Sequence, residues 1–205
     1  MKIFYFRTGP VSVNTYIVYN ENTLDGFIID PGGNYKRIIK EINDKGITLK
    51  AQLLTHGHFD HCGASAQLQQ DGVPVYIHSF DAPKLSSEGN LSEMFNIEFN
   101  NFSADYLLND GDMFTIADIE IKVLLTSGHT SGSVCFIIGN NIFSGDTLFN
   151  ISIGRTDFPD GDSDALIKSI KEKLFTLKGD YSLYPGHDDC STLEYEKNYN
   201  PMIEW

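Results

Sequence analysis

The chain has 205 residues, 41% of them hydrophobic and 21% charged, which suits one soluble domain with a substantial core. Its net charge is −13 and its only arginines are Arg7, Arg37 and Arg155. Phosphate backbones need a basic surface, so this balance speaks against a nucleic-acid partner.

The N-terminal stretch MKIFYFRTGPVSVNTYIVYN alternates apolar and polar residues and lacks the continuous apolar run of a signal peptide. Strands are expected at 3–6, 13–19 and 26–30. A helix is expected over 35–45, with Ile38, Ile39 and Ile42 on one face and Gly46 as its stop. A strand at 51–55 should lead into a shorter helix from about His61 to Gln70, followed by a strand at 73–78. Segment 86–104 has no period and reads as a long loop, either functional or a solvated excursion. Beyond it, Ile119, Ile121, Val123 and Leu125 alternate as in a half-buried strand over 119–126. A strand at 133–138 should turn at Gly139-Asn140-Asn141 into a hairpin partner. A second long helix is expected at 164–177 on the stripe Leu166, Ile167, Ile170, Leu174 and Phe175, and a last strand at 181–184. Several of these strands are hairpin-linked, so mixed sheets with helices on their outer faces are expected. No segment has the length of a membrane span. The three cysteines, Cys62, Cys135 and Cys190, fit neither a disulfide framework nor a zinc-finger spacing, which points to a reducing cytoplasm.

One pattern recurs along the chain. LLTHGH (53–58) returns as LLTSGH (124–129), more loosely as SLYPGH (182–187), and as IFSGD (142–146) with aspartate in place of histidine. Each is an apolar strand running into a glycine and then a side chain able to bind metal. If the four strand ends share one rim, His56, His58, His129, Asp146 and His187 converge, together with Asp60 and His61 from HGHFDH. One tetrahedral catalytic ion needs three protein ligands, so five histidines and two aspartates suit two ions. The natural split gives His56, His58 and His129 to one ion and Asp60, His61 and His187 to the other, with Asp146 bridging. Imidazole and carboxylate without thiolate favour zinc, with iron or manganese as alternatives. His78 lies outside the plan and reads as structural, and Cys62 as a small buried thiol on a helix.

HGHFDH, GHTSGS, SGDTLF and PGHDD, in this order, resemble the metallo-β-lactamase superfamily, as do PVSVNTYIV and the turn IIDPGG (28–33). The resemblance spans nearly the whole chain and implies an αββα sandwich: two mixed β-sheets packed face to face, helices outside, the metal site along one edge. It also implies that Asp30 supports the site from beneath. GRTDFPDGD (154–162) and the ending TLEYEKNYNPMI are similar to small, glyoxalase II-like (hydroxyacylglutathione hydrolase-like) members. Full-length glyoxalase II carries a helical domain with basic residues for glutathione. No positions here match them, which leaves the thiol carrier open. Arg155 is the candidate contact for an anionic group of the substrate, with a structural role in its loop as the competing account.

The expected reaction is hydrolysis of a small-molecule thioester such as S-lactoylglutathione by a metal-bound hydroxide, with Asp60 orienting the hydroxide as well as binding metal. The closest rival is a persulfide dioxygenase, which resembles the chain in the same motifs and would hold one iron with His56, His129 and Asp146. β-Lactamases commonly have cysteine where this chain has Asp146. Flavodiiron proteins typically have glutamate at the position of His58. A non-catalytic scaffold would be expected to lack one or more of the seven ligands.

Overall fold

Alternation along the strands decides the layering. The computed structural model describes residues 1–203. In β2 (Val13–Tyr19), Tyr16 and Val18 face one side and Ile17 the other; in β3 (Asp25–Ile29), Phe27 and Ile29 part from Ile28 in the same way. Strands apolar on both faces must be covered twice. The first sheet runs β1 (Lys2–Thr8), β2, β3, β4 (Thr48–Leu53), β5 (Val75–His78), β6 (Tyr106–Leu108), antiparallel up to β3 and parallel from there on. The second contains β7 (Met113–Ile116), β8 (Ile119–Leu125), β9 (Val134–Ile138), β10 (Asn141–Gly145), β13 (Ser182–Pro185) and β14 (Ser191–Thr192), in the order β14-β13-β10-β9-β8-β7. Its one parallel pairing joins β10 to β13. Between these two in sequence, β11 (Leu148–Phe149) and β12 (Ser152–Ile153) form a separate small hairpin.

Between the sheets lie Tyr16, Val18, Phe27 and Ile29 from one side and Ile121, Val123, Phe136 and Phe143 from the other. Outside the first sheet, α1 (Tyr35–Asp44) and α3 (Ser65–Gln70) lay Ile38, Ile42 and Leu68 over Ile17 and Ile28. Outside the second, α4 (Ser163–Ser169) and α5 (Leu193–Tyr199) bring Leu166 and Leu193 against Cys135, Ile142 and Leu183. The fold is the αββα sandwich of mixed sheets expected from the sequence. No helix among the described residues is long and apolar enough to cross a membrane.

The differences from expectation are local. The helix read over 61–70 is two pieces, α2 (Phe59–Cys62) and α3. Between them Gly63 packs so closely on the backbone that an added Cβ would lie 2.6 Å from the Gly32 carbonyl oxygen, and Ala64 N–H donates to Pro31 O at 2.9 Å. The helix at 164–177 starts on Asp162, whose carboxylate accepts from Ala165 N at 3.0 Å, and loosens into one wide turn at Ile170–Leu174. The short strands β6, β7, β11, β12 and β14 and the helix α5 had no counterpart in the expected elements.

Phe136 is fully buried between the sheets, whereas Leu107 is 59% exposed on β6. Phe136→Ala should cost about 3–5 kcal/mol, and Leu107→Ala about 0.5 kcal/mol or less, both read from denaturant unfolding. Equal costs would contradict the assigned layering.

Candidate metal centre

Four strand ends deliver the candidate ligands. β4 runs through Thr55 into His56 and His58, β8 into His129, β10 into Asp146 and β13 into His187. Asp60 and His61 follow on α2, whose N-cap is His58 in an extended conformation. Glycine is required where these segments meet. A Cβ on Gly186 would lie 2.3 Å from Asp146 Oδ1 and 2.6 Å from His61 Cε1. Gly145 has φ +48°, and its Cβ would lie 2.3 Å from Thr55 Oγ1.

The structure brings together all seven side chains singled out in the sequence. Their donor atoms form three groups, each within 4.8 Å: His56, His58 and His129; His56, His61 and Asp146; and Asp60, His61 and His187. His129 Nε2 faces His58 Nδ1 at 3.0 Å, and His187 Nε2 faces Asp60 Oδ2 at 3.3 Å. Asp146 reaches both sides: Oδ1 lies 3.3 Å from His61 Nε2, and Oδ2 lies 3.6 Å from His129 Nε2 and 3.7 Å from His187 Nε2. Donor atoms about 2.0–2.1 Å from one tetrahedral cation would stand about 3.3 Å apart, close to these spacings. Moreover His56 Nε2, His61 Nε2 and Asp146 Oδ1 are buried with no hydrogen-bond partner in the protein. Buried polar atoms are rarely left so, and cations at the two expected seats would satisfy them, His56 at one and His61 at the other. The residues therefore fit a metal pair.

The opposite edges of the rings are held firmly. His61 Nδ1 bonds Asp30 Oδ2 at 2.9 Å, His129 Nδ1 donates to Arg155 O at 2.7 Å, and His56 Nδ1 lies 3.1 Å from Thr55 Oγ1. With Nδ1 engaged in this way, Nε2 is free to present a lone pair to a cation. Asp30, buried at φ +50°, also accepts from Thr55 N at 2.8 Å and Thr55 Oγ1 at 2.7 Å. It thus lies beneath the cluster and ties β3 to the HGH turn.

Two further supports were not anticipated. Asp81, fully buried, accepts from Gly57 N (2.8 Å), Thr130 Oγ1 (2.9 Å), Gly132 N (3.0 Å) and Lys84 Nζ (2.8 Å). It locks the turn carrying His56 and His58 to the turn carrying His129. Lys84 Nζ also meets Asp160 Oδ2 at 2.8 Å; burial disfavours its charge, but the two carboxylates outweigh this and raise its pKa. On the far side, Asn14 Nδ2 donates to Pro185 O and Asp188 O, and Tyr16 OH to Pro185 O, fixing the turn that holds His187. The sequence signal for Asp81 was its place just after β5, the next strand end along the same sheet. Asn14 had no local signal.

Electrostatics divides the cluster. Burial, then the neighbouring imidazoles, pushes His56 well below its ordinary value; burial and His129 bring His58 down to about 3. Burial also opposes charge on His61, yet Asp146, Asp60 and Asp30 hold its pKa well above the usual value. Burial would raise the Asp60 and Asp146 carboxyls, but the imidazoles around them, His61 first, keep both ionised.

The other residues flagged in the sequence lie apart. His78 ends β5, its Nδ1 accepting from Phe80 N at 3.2 Å. The Cys62 thiol is buried at the end of α2 and points to His58 O at 3.1 Å. Arg155 lines the cleft above the cluster, with its guanidinium paired to Asp157 at 2.7 and 2.6 Å. Leu91 and Phe95 of segment 86–104 line the same cleft.

Two measurements follow from this geometry. The carboxylates around His61 favour a proton there, with which a cation at Nε2 must compete, so affinity should rise with pH. Calorimetric enthalpies of zinc uptake should then vary with the ionisation enthalpy of the buffer; buffer-independent enthalpies would contradict the assignment. Asp30→Asn should weaken zinc affinity about 10–100-fold in chelator competition, and unchanged affinity would remove Asp30 from its supporting role.

The comparisons with known proteins agree with this geometry. The family model described as the metallo-beta-lactamase superfamily matches residues 8–187. The chain is 38% identical over 182 residues to the hydroxyacylglutathione hydrolase GloC of Haemophilus influenzae, covering 86% of each chain. Among solved structures it is similar to the BLEG-1 B3 metallo-beta-lactamase (TM-score 0.94, 32% identity, all of both chains). It is also similar to TTHA1623, solved in a di-iron-bound form (TM-score 0.87, 33% identity, 98% of this chain and 100% of that one). With a family match across most of its length, an αββα sandwich and a buried histidine–aspartate cluster where four strands end, the chain belongs to the metallo-β-lactamase superfamily.

Proposed function

We propose that the protein is a binuclear metallohydrolase that cleaves thioesters. The observation that carries this reading is the division of seven donor side chains into a His56–His58–His129 group and an Asp60–His61–His187 group, with Asp146 facing both. These residues would hold the two ions, most naturally zinc, with iron or manganese as alternatives. When bound, such ions supply Lewis acidity, lowering the pKa of a water to about 7 and polarising a carbonyl.

The chain's own side chains do the rest. Asp60 is ionised and its Oδ2 lies beside His187 Nε2, so it can accept a hydrogen bond from the attacking water and orient it. The new bond joins that water's oxygen to the thioester carbonyl carbon, the C–S bond breaks, and the proton ends on the departing sulfur, giving a carboxylic acid and a thiol. A thiolate, whose conjugate acid has a pKa of about 8.5, leaves without a strong acid to protonate it. This suits a cleft whose described lining contains no tyrosine, lysine or glutamate. The relative named as a hydroxyacylglutathione hydrolase supports the thioester class. A single-iron oxygen chemistry through His56, His129 and Asp146 would leave the Asp60–His61–His187 group without a role. None of the three cysteines is bridged, which fits the cytoplasm as the place of action.

Turnover decides between the chemistries. Zinc-loaded protein should hydrolyse S-lactoylglutathione or simpler thioesters, lose activity to a chelator, and fall by at least about 100-fold on His129→Ala. The reading is contradicted if the protein takes up oxygen with glutathione persulfide, or opens a β-lactam, while leaving thioesters intact.

A further inference from the structure

The metal cluster is seen from solvent through a cleft of about 350 Å³. Apart from the cluster's own donors, its wall is built largely of apolar side chains, among them Phe59, Leu91, Phe95, Phe149, Ile153 and Phe158. The rings form a collar on two sides of the cleft. Phe95 joins Phe59 (5.4 Å between centroids) to Phe158 (5.9 Å), Phe158 stands edge-on to His58 at 5.9 Å, and on the opposite side Phe149 stands edge-on to His187 at 6.2 Å. Aromatic surface thus begins at the candidate ligands and runs outward, with Phe95 left 44% exposed at the mouth.

This wall is not incidental to a loose loop. Leu91 occupies the left-handed region at φ +65°, unfavourable for a bulky side chain, and is nonetheless 4% exposed. Asn90 Oδ1 holds the turn by accepting from Ser92 N at 2.8 Å. The turn thus holds Leu91 buried against the cleft in spite of its backbone conformation.

Charge points the same way. The one arginine or lysine in the described lining, Arg155, is already engaged: Nε and Nη2 bond the two carboxylate oxygens of Asp157 at 2.7 and 2.6 Å, and the guanidinium lies 3.8 Å from the Phe158 ring centroid. Arg155 therefore extends the wall through its stacked face, and its charge is compensated locally. On a chain of net charge −13, the described mouth offers a polyanionic carrier, beyond the candidate metal seats, one arginine that already has a carboxylate partner.

We propose that the thioester taken by this site presents an uncharged, apolar group, aliphatic or aromatic, to the collar around Phe95 and Phe158. This rests on the hydrolase reading above and specifies its substrate class. The group belongs either to the acyl half or to the thiol half, and the experiment separates them. In one arm, zinc-loaded protein receives acetyl, butanoyl, hexanoyl and benzoyl thioesters of one neutral thiol, N-acetylcysteamine. In the other, acetyl thioesters of ethanethiol, butanethiol and hexanethiol are compared with one another and with S-lactoylglutathione.

The expected result is a kcat/KM that rises about fourfold per added methylene in one arm, with Phe95→Ala flattening that rise. The arm that rises names the half that binds. Flat series in both arms, or a preference for S-lactoylglutathione over every neutral apolar thioester, overturns the proposal. If no thioester is hydrolysed, the hydrolase reading has failed, and binding then decides the cleft by itself. Calorimetric affinity of the zinc-loaded protein for straight-chain carboxylates from acetate to octanoate should increase with length and lose that increase in Phe95→Ala; affinity independent of length overturns the proposal.

Discussion

Crowding of lone pairs in a buried space is the constraint on which the rest of the structure depends. Five imidazoles and two carboxylates converge in groups whose donor atoms lie within 4.8 Å, several of them 3.0–3.7 Å apart, and three of those atoms have no hydrogen-bond partner in the protein. Nothing in packing or hydrogen bonding rewards such an arrangement, because each unpartnered buried polar atom costs free energy. Bound cations would turn that cost into a favourable interaction. The strand-end glycines, the left-handed Asp30 and the carboxylate node at Asp81 all serve to bring the donors closer than ordinary side chains would stand.

The sandwich supplies rigidity in proportion to that demand. Both sheets are buried on both faces, so the strand ends are fixed by cores on either side rather than by the loops that follow them. Three polar nodes then connect the loops. Asp30 joins β3 to the HGH turn, Asp81 joins the HGH turn to the GHTSG turn, and Asn14 joins β2 to the turn of His187. Each node spans segments distant in sequence, so the donor positions are consequences of the whole fold. The apolar collar above them is drawn from α2, the β11–β12 hairpin and the segments carrying Leu91, Phe95 and Phe158.

Much of this was legible from the residues. His58, His129, Asp146 and His187 could be read because each obeys one local rule, an apolar strand followed by glycine and a donor, repeated at 53–58, 124–129, 142–146 and 182–187, and His56, Asp60 and His61 because they crowd into HGHFDH. The layering could be read because strands such as Ile119–Leu125 alternate cleanly. What escaped was non-local. Asn14 acts on Pro185, 171 residues away, and Asp81 acts on Thr130, 49 residues away, with no spacing to announce either. The break between α2 and α3 depends on the approach of Gly32 to Gly63, which no periodicity encodes. Strands of two or three residues, such as β6 and β14, are made by their neighbours rather than by their own sequence.

The claim at the centre is that the buried cluster is a seat for two divalent cations sharing Asp146. Metal content per chain, by mass spectrometry after loading and exhaustive desalting, tests it most directly. The account predicts two equivalents in the unaltered chain and a loss of tightly held metal on Asp146→Ala. A folded protein that retains no metal, or whose metal content is indifferent to Asp146, would contradict it.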